Sequence, residues 1–376
     1  MKTRAAVLWE APGKWQVQEV DLDDPGPTEV LVEMAATGLC HSDDHLVTDD
    51  MAGMSRMPMV GGHEGSGIVR AVGSEVHDLA PGDHVITSFI PGCGKCRWCA
   101  AGMQNLCDNG ILILEGSQPS GGFRMHAGGA DIGGMTTLGT FAEWQVYDQM
   151  SVMKIDPAFP LDAACLVACG VATGFGAAVN AADVRPGDVV LIMGAGGVGM
   201  NAVQGAALSG AGHVVVVDPA PSRKEFAPKF GATEVFTDFA EADGFCKMIT
   251  NGQGADSAIV TVGVVRNEHI GQALGAIRKG GTVAVTGIGN AIEDSTVPGL
   301  NAFHIAMMQK RIQGVLYGMA SPREAMPRLL DYYKTGKLKL NELITKRYTL
   351  DEINTGYEDM HAGVNIRGII DFGVRE

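Results

Sequence analysis

The sequence predicts an α/β protein that combines a doubly wound parallel sheet with a separate β-rich region. Three observations lead to this fold class. Within the first 150 residues, short apolar runs are bounded by Gly, Pro and Asp, a pattern typical of β-strands. From residue 187 onward, short apolar strands alternate with helices, which indicates a parallel sheet covered on both faces. The first of these strands leads into the glycine-rich run GAGGVG at 194–199.

Composition narrows the class of protein. The 376 residues fit two domains, and the formal net charge of −15 argues against binding to nucleic acid or to an anionic membrane surface. Glu10 and Pro12 interrupt the short apolar run near the N-terminus, so we expect no signal peptide. The apolar stretch 189–217 contains glycines and polar residues and is predicted to fold as strand, turn, helix and strand. We therefore predict a cytoplasmic protein with no membrane span.

The individual elements follow from local pattern. In the β-rich region the predicted strands are AAVLW, EVLVEMAAT, GSGIVRAVG and DHVITSFI. The glycine-dense segment 110–140 is predicted to be a long surface loop. Farther along, the predicted strands are DVVLIM, HVVVVD, ATEVF, SAIVTV, TVAVTG and IQGVLYG, with helices between them. The last part adds helices near 322–335 and 351–361, followed by the strand IRGIIDFG.

The run GAGGVG has the spacing of a dinucleotide fingerprint. Gly194 is expected to make the tight turn, Gly196 to let the backbone approach a pyrophosphate, and Gly199 to let helix and strand pack closely. Asp218 ends the next strand, where a carboxylate binds the adenosine ribose and repels a 2′-phosphate, so the pattern favours NAD over NADP. The alternative is a glycine turn in another α/β fold.

Four cysteines share one short segment, GCGKCRWCAAGMQNLC. Four thiolates this close together can converge on a tetrahedral metal, and closed four-cysteine sites are typical of structural zinc. An iron–sulfur site is the alternative, but bacterial ferredoxin runs have a shorter final gap and end in Cys-Pro. The four cysteines are Cys93, Cys96, Cys99 and Cys107.

A second set of metal ligands is scattered along the chain. Cys40 lies in GLCHSDDH, His63 in GGHEGSG and Cys169 in ACGVATGFG. Each alone is most simply a buried residue. Together, two thiolates and one imidazole match a catalytic zinc with an open fourth position, where zinc acts as a Lewis acid toward an alcohol. Cys165, four residues before Cys169, is instead predicted to be a buried apolar residue. Two zinc ions per chain are therefore expected.

These motifs occur in the order seen in zinc-containing alcohol dehydrogenases of the medium-chain dehydrogenase/reductase superfamily, which the whole chain resembles. The resemblance implies a Rossmann coenzyme domain inserted in a catalytic, GroES-like domain with a partly open β-barrel. It places residues 1–171 and 317–376 in the catalytic domain and 172–316 in the dinucleotide-binding domain. It also implies a homo-oligomer, either a homodimer or a homotetramer.

The resemblance implies a role for each matching residue. Asp43 would orient His63, Glu64 would lie behind the zinc, and Ser42 and His45 would carry the proton from the alcohol to solvent. His41 stands where relatives often have arginine, which leaves its phosphate contact open. The remaining cofactor contacts implied are Gly197, Val198, Thr173, Arg223 and Arg367. Phe89, Leu112, Ile288 and Leu316 resemble substrate-pocket positions, with ordinary core packing as the alternative for each.

The N-terminal run MKTRAAVLWEAPGKWQVQEVDLDDPGP and CHSDDHLVT carry a narrower resemblance. They are similar to actinobacterial alcohol dehydrogenases assayed with N,N-dimethyl-4-nitrosoaniline. Those enzymes are nicotinoproteins, which hold NAD through turnover and pass electrons to a mycofactocin-type redox carrier. The 110–140 segment is a candidate cover for a held cofactor, although its composition equally fits a surface loop with no such role.

The expected function is oxidation of a small or primary alcohol to an aldehyde or ketone. Within the same class, the alternatives are a formaldehyde dismutase and an S-(hydroxymethyl)thiol dehydrogenase. A non-catalytic zinc- and NAD-binding protein is a further alternative. It would be expected to lack Cys40, His63 or Cys169, and this chain has all three.

Overall fold

The structure is a computed structural model that describes residues 1–48, 55–289 and 296–374. The chain divides into two compact units. The first unit is Met1–Cys169 together with Ser321–Glu376, and the second unit is Gly170–Ala320.

Strands and helices are numbered along the chain. The strands are β1 (Lys2–Leu8), β2 (Gln16–Leu22), β3 (Glu29–Gly38), β4 (Met59–Val60), β5 (Gly65–Val72), β6 (His84–Thr87), β7 (Met125–Ala127), β8 (Ala130–Gly134), β9 (Trp144–Asp148), β10 (Val152–Lys154), β11 (Val189–Met193), β12 (His213–Val217), β13 (Glu234–Phe236), β14 (Ala255–Val260), β15 (Val264–Val265), β16 (Ile277–Val285), β17 (Ile288–Gly289), β18 (Arg311–Gly314), β19 (Ile344–Tyr348) and β20 (Arg367–Asp371). The helices are α1 (His41–Thr48), α2 (Arg97–Ala100), α3 (Leu161–Ala164), α4 (Gly170–Gly176), α5 (Gly197–Leu208), α6 (Arg223–Phe230), α7 (Phe239–Ile249), α8 (Asn267–Ala276), α9 (Pro322–Lys334) and α10 (Ile353–His361).

The first unit is built from a small barrel and a larger sheet. Strands β1, β2, β7, β8 and β4 close into the barrel, where the family resemblance implied a partly open one. The sheet has the order β10-β6-β5-β3-β20-β19, and β9 also pairs with β3. The long strand β3 lies in the interior of this sheet, and its residues are buried along almost the whole length of the strand. An aromatic group fills the core, with the rings of Trp15 and Phe141 edge to face at 5.6 Å.

The prediction of a long loop over residues 110–140 is wrong. The segment contains the hairpin β7–β8, in which Ala127 pairs with Ala130 across a two-residue turn. The turn residues Gly128 and Gly129 have φ of +59° and +80°, which a Gly-Gly pair adopts without strain and which suits the twist of a hairpin. The side chain of Gln118 also fixes the segment, since its amide donates to the carbonyl of Thr137 at 2.8 Å.

The second unit contains a six-stranded parallel sheet in the order β13-β12-β11-β14-β16-β18. This is the strand order of a dinucleotide-binding fold. Strand β11 is buried at every residue, and its neighbours β12 and β14 pair with it in parallel. Met193 is in register with Val217, so the residues that follow these two strands, Gly194 and Asp218, emerge side by side.

The sequence argument against a membrane span concerned residues 189–217. Among the described residues, no single helix has the length and apolar character needed to cross a membrane. One pair of helical segments, Leu161–Ala168 and Gly170–Ala181, is long and apolar enough only when the two segments are taken together, and the chain bends between them.

Candidate metal centres and dinucleotide fingerprint

Two antiparallel strands bring the first ligands of the buried cluster together. Thr37 near the end of β3 pairs with Gly65 at the start of β5. Cys40 follows the first strand and His63 precedes the second, so the same end of the sheet carries both residues. Cys169 reaches this place from the turn after α3 and closes the group.

The buried cluster consists of Cys40, His63, Glu64 and Cys169. Their ligand atoms all lie within 4.8 Å of one another, and all four residues are buried. Two sulfurs and one imidazole nitrogen form a donor set that suits a tetrahedral zinc with one open position, and the carboxylate of Glu64 lies next to this set. Apolar burial alone gives no reason to gather four such polar groups, so the residues present fit this metal.

Asp43 holds two parts of the buried cluster at once. Its Oδ1 lies 3.1 Å from Nδ1 of His63 and accepts the backbone N–H of Gly62 at 2.9 Å. Its Oδ2 accepts the backbone N–H of Cys40 at 3.2 Å. The contact to Nδ1 leaves Nε2 of His63 as the nitrogen available to a metal.

The charges in the buried cluster favour a thiolate at Cys40. A hydrogen bond from Cys169 lowers the pKa of the Cys40 thiol well below its usual value, although burial acts in the opposite direction. The same hydrogen bond and burial raise the pKa of Cys169. Burial lowers the pKa of His63, but the charges of Asp43 and Cys40 outweigh it and raise that pKa overall. Of the two thiols, Cys40 therefore loses its proton more easily and Cys169 less easily, and a metal ion bound between them would favour the thiolate form of both.

Glu64 is paired with Arg367, and both side chains are buried. Burial raises the pKa of Glu64 to about 7 even though the guanidinium of Arg367 acts to lower it. Gly38 lies against this pair, and a Cβ at that position would overlap the Glu64 carboxylate and crowd the Arg367 guanidinium. Glycine at position 38 is therefore required by the close approach of two charged side chains.

Helix α1 carries the residues expected to move a proton. The hydroxyl of Ser42 lies 3.7 Å from Sγ of Cys40, at the edge of the buried cluster. His41 is exposed at the start of the helix. His45 was expected at the outlet of the proton route, but its side chain is buried, with 3% exposure.

The four residues expected in a substrate pocket have different surroundings. The ring of Phe89 packs edge to face on His63, with centroids 5.8 Å apart, which places it beside the buried cluster. Leu112 is half-buried in a 3₁₀ turn, Asp108–Ile113. Ile288 and Leu316 belong to the second unit and are 38% and 42% exposed, so core packing does not account for them.

The second cysteine cluster, Cys93, Cys96, Cys99 and Cys107, is the four-cysteine loop. Its sulfurs approach in pairs, with 3.9 Å between Cys93 and Cys99 and 4.0 Å between Cys96 and Cys107. Backbone N–H groups point at these sulfurs: that of Cys96 donates to Cys93 and that of Cys93 to Cys107, both at 3.3 Å. Such donors stabilise thiolates, and four thiolates in this arrangement fit a closed zinc site.

The pKa values of the cysteines in the four-cysteine loop also favour binding of a cation. A hydrogen bond from the N–H of Cys99 is the largest effect on Cys96 and lowers its pKa to about 6. Burial raises the pKa of Cys99 to about 12. One sulfur is therefore ready as a thiolate, whereas another needs a cation nearby to lose its proton.

The glycine fingerprint begins helix α5. Gly194 has a φ of +96°, which explains glycine at the turn, and a Cβ on Gly199 would overlap the carbonyl oxygen of Gly194. At Gly196, by contrast, a Cβ would meet no protein atom within 4 Å. The space over Gly196, with the first N–H groups of the helix at Gly197 and Val198, fits a phosphate.

Asp218 lies beside the fingerprint. Its Oδ2 accepts the N–H of Ala195 at 2.7 Å and its Oδ1 accepts the N–H of Ala220 at 2.9 Å. Each carboxylate oxygen keeps a second acceptor site for a ribose hydroxyl. Thr173, in α4, and Arg223, the first residue of α6, are both buried within the second unit.

Some residues of the buried cluster's surroundings were not identified from the sequence. Gly38 and Gly62 supply close backbone approaches, and Gly62 has a φ of +89°. The paired glycines of GGHE were a signal for such a turn. His361, which lies 2.7 Å from Asp44, had no local signal, because the contact joins residues 317 positions apart.

Comparison with protein families gives two matches that together cover most of the chain. Residues 26–157 match the alcohol dehydrogenase GroES-like domain, and residues 197–335 match the zinc-binding dehydrogenase family.

Several known proteins resemble the chain over its whole length. A putative alcohol dehydrogenase D of Mycobacterium tuberculosis is 50% identical, and the match covers 98% of this chain and 100% of that protein. An NDMA-dependent alcohol dehydrogenase of Amycolatopsis methanolica is 48% identical, with 98% and 99% covered. The S-(hydroxymethyl)glutathione dehydrogenase of Saccharomyces cerevisiae is 37% identical, with 98% and 96% covered. The crystal structure of benzyl alcohol dehydrogenase from Acinetobacter calcoaceticus superposes with a TM-score of 0.89 at 30% identity, with 99% of both chains covered.

Proposed function

The chain belongs to the zinc-binding alcohol dehydrogenases, and we propose that it oxidises a small or primary alcohol to an aldehyde or ketone, with NAD as hydride acceptor. The observation that carries this proposal is the buried convergence of Cys40, His63 and Cys169 from three distant parts of the chain. A zinc ion bound by these three residues would have a fourth position for the alcohol oxygen. When bound, the metal supplies Lewis-acid chemistry, which makes the hydroxyl proton easier to remove.

The proposal includes two zinc ions per chain. Cys40, His63 and Cys169 would hold the catalytic ion, with Glu64 behind it and paired to Arg367. Cys93, Cys96, Cys99 and Cys107 would hold the structural ion. The support for two separate ions is that the donor sets differ: the four-cysteine loop is a closed thiolate site, whereas the buried cluster includes an imidazole that Asp43 orients.

Proton removal is assigned to residues of helix α1. Ser42 lies beside the sulfur of Cys40 and can take part in a hydrogen-bonded chain from the alcohol. His45 would then receive the proton, because an imidazole exchanges protons near neutral pH. Asp43 keeps His63 and the backbone of Cys40 in place.

NAD is the proposed cofactor because the fingerprint and Asp218 offer complementary groups. The start of α5 provides N–H donors for a pyrophosphate, and the open space at Gly196 leaves room for it. The carboxylate of Asp218 would bind ribose hydroxyls and repel a 2′-phosphate. Thr173 and Arg223 in the second unit, and His41 and Arg367 in the first, are proposed as further contacts to the cofactor.

We expect Asp218→Ala to relax the choice between NAD and NADP. Removing the like-charge repulsion should improve NADP binding about tenfold or more, a change of about 1.4 kcal/mol. Isothermal titration of the cofactor-free protein with both dinucleotides measures the ratio. Equal affinity of the unaltered protein for NAD and NADP would show that Asp218 does not select the cofactor.

Tightly held NAD and an external redox carrier of the mycofactocin type form the finer part of the proposal. The full-length similarity to an NDMA-dependent alcohol dehydrogenase supports it. We further propose a homodimer or homotetramer in the cytoplasm. None of the eight cysteines, all of which lie in the described part of the chain, forms a disulfide, which is consistent with a reducing compartment.

A second candidate function is oxidation of an S-(hydroxymethyl)thiol, or dismutation of formaldehyde. The similarity to an S-(hydroxymethyl)glutathione dehydrogenase favours including it. A dismutase would use one held NAD for alternating oxidation and reduction. Formaldehyde with and without a thiol is therefore included among the substrates tested.

The test begins with an ultraviolet spectrum of the dialysed protein. Persistent nicotinamide absorbance is expected if the cofactor is held. Alcohol oxidation is then followed with added NAD alone and with N,N-dimethyl-4-nitrosoaniline as acceptor. Turnover that needs the dye supports the held cofactor, and sustained release of NADH without it would return the protein to the dissociable-NAD enzymes. Absence of alcohol oxidation under both conditions would overturn the proposed function.

A further inference from the structure

The buried position of His45 raises the requirement for a second group that connects this residue with solvent. With 3% of its side chain exposed, His45 needs another group through which a proton can reach bulk water. The requirement depends on the proposed function, because it arises only if alcohol oxidation releases a proton into helix α1. His41, Asp44 and His45 occupy positions i, i+3 and i+4 of that helix and therefore lie on one face.

A solvent-accessible imidazole is attached to this face. Nε2 of His361, the last residue of α10, lies 2.7 Å from Oδ2 of Asp44. The two side chains differ sharply in environment, since 52% of His361 is exposed but only 13% of Asp44. The pair thus runs from the interior side of α1 to the surface.

The position of His361 is fixed from within the first unit. Tyr357, one turn earlier on α10, is buried in the aromatic core with Trp15 and Phe141. This packing holds the helix, so His361 stays next to Asp44.

The titratable groups near His361 come from two helices. Asp44 on α1 contacts it directly, and Tyr357, Glu358 and Asp359 lie within one turn on its own helix. Asp44, His45 and His361 all act electrostatically on His41, which shows that these side chains form one local group.

We propose that His361, oriented by Asp44, is the group that passes the reaction proton to solvent. In the resting state the Nε2–H of neutral His361 donates to Asp44, and Nδ1 is unprotonated. The imidazolium of His45 loses its proton through water to Nδ1 of His361, which becomes an imidazolium stabilised by the Asp44 carboxylate. The Nδ1 proton then leaves to a buffer base, and the neutral starting form returns. Asp44 acts here as a positioning residue.

The test separates proton release from hydride transfer. A single turnover of the full-length, zinc- and NAD-loaded protein is followed in weak buffer by nicotinamide absorbance and by a pH indicator. In His361→Gln we expect hydride transfer to continue while proton release slows about tenfold or more, as general acid–base groups contribute at least this much. Added imidazole buffer should restore the rate. His126→Gln is the matched control, because His126 also contacts carboxylates, Asp23 and Asp131, but lies on barrel strand β7.

The outcomes distinguish the inference from the function on which it rests. If the unaltered protein oxidises alcohol and His361→Gln releases protons at the same rate, the inference is overturned and the proposed function stands. A lowered melting temperature with unchanged proton release would show that Asp44 and His361 only clamp two helices together, and this also overturns it. If the unaltered protein transfers no hydride, both fail.

Discussion

In the four-cysteine loop, every sulfur comes from the segment between residues 93 and 107, whereas the buried cluster draws its ligands from residues 40, 63 and 169. The loop uses its own backbone N–H groups to support its sulfurs. The buried cluster instead depends on strand pairing between β3 and β5 and on the side chain of Asp43. We therefore expect the order of the local set to depend more strongly on a bound metal, and the order of the dispersed set to depend on the fold around it.

This contrast predicts that Cys99→Ser damages folding more than chemistry. We expect a loss of at least about 5 kcal/mol of stability, because structural zinc contributes about 10–16 kcal/mol of apparent binding energy in small peptides. Thermal unfolding and zinc analysis measure the effect. Cys246→Ser is the control, since Cys246 is a buried thiol outside both clusters. A Cys99→Ser protein that keeps two zinc ions and its melting temperature would contradict the contrast.

The opposite result is expected at the buried cluster. Cys169→Ser should leave a folded protein whose kcat/KM is about 10³-fold lower, because a Lewis-acid metal is worth several kcal/mol and each 1.36 kcal/mol is tenfold. Circular dichroism and steady-state kinetics provide the two measurements. The control is Cys165→Ser, which replaces a buried thiol four residues earlier in the chain and should retain most activity. Full activity in Cys169→Ser would remove Cys169 from the metal site.

Gly38→Ala tests whether the fold holds the buried cluster in place. The added methyl group would overlap Glu64 and crowd Arg367, and overpacking of a core typically costs about 1–3 kcal/mol. We expect the buried cluster to lose zinc to a mild chelator sooner, while the four-cysteine loop retains its ion. Gly244→Ala in α7 is the control, because a Cβ there meets nothing within 4 Å. Equal loss of both ions would show that the two sites are not independent.

We expect the smallest effect at His126, a histidine that contacts two carboxylates and lies outside both cysteine-containing clusters. Burial lowers its pKa, but Asp23 and Asp131 outweigh this, so the pKa of His126 is raised in the folded state. Its stabilisation is therefore complete below the unfolded pKa of about 6.5 and is lost as pH rises through the folded pKa. His126→Gln should cost about 0.5 kcal/mol at pH 6 and almost nothing at pH 9, measured by urea unfolding. A cost that grows with pH would reverse this assignment.

The sequence was most informative where structure is local. The four-cysteine loop and the turn at Gly194 could be predicted because a few neighbouring residues determine each of them. The hairpin β7–β8 was missed because its glycine density suggested a loop, although Gly128-Gly129 is itself a signal for a two-residue hairpin turn.

Contacts between residues that are distant in the sequence were harder to predict. The grouping of Cys40, His63 and Cys169 was predicted from the ligand types of a catalytic zinc and supported by the family resemblance, since no local pattern joins the three residues. The contact between Asp44 and His361 joins α1 to α10, and the burial of His45 is likewise a product of tertiary packing. Periodicity shows that a helix has a buried face, but it does not identify the partner of that face.

The position of β19 and β20 in the first unit has a consequence for biosynthesis. Both strands are translated after the whole of the second unit, yet β20 pairs with β3 beside the buried cluster and carries Arg367, the partner of Glu64. A ribosome must therefore complete the second unit before it supplies the strand that finishes the first. Until then Glu64 lacks its counter-ion and β3 pairs only with β5 and β9. We therefore expect a metal ion to be loaded at the four-cysteine loop earlier than at the buried cluster during synthesis.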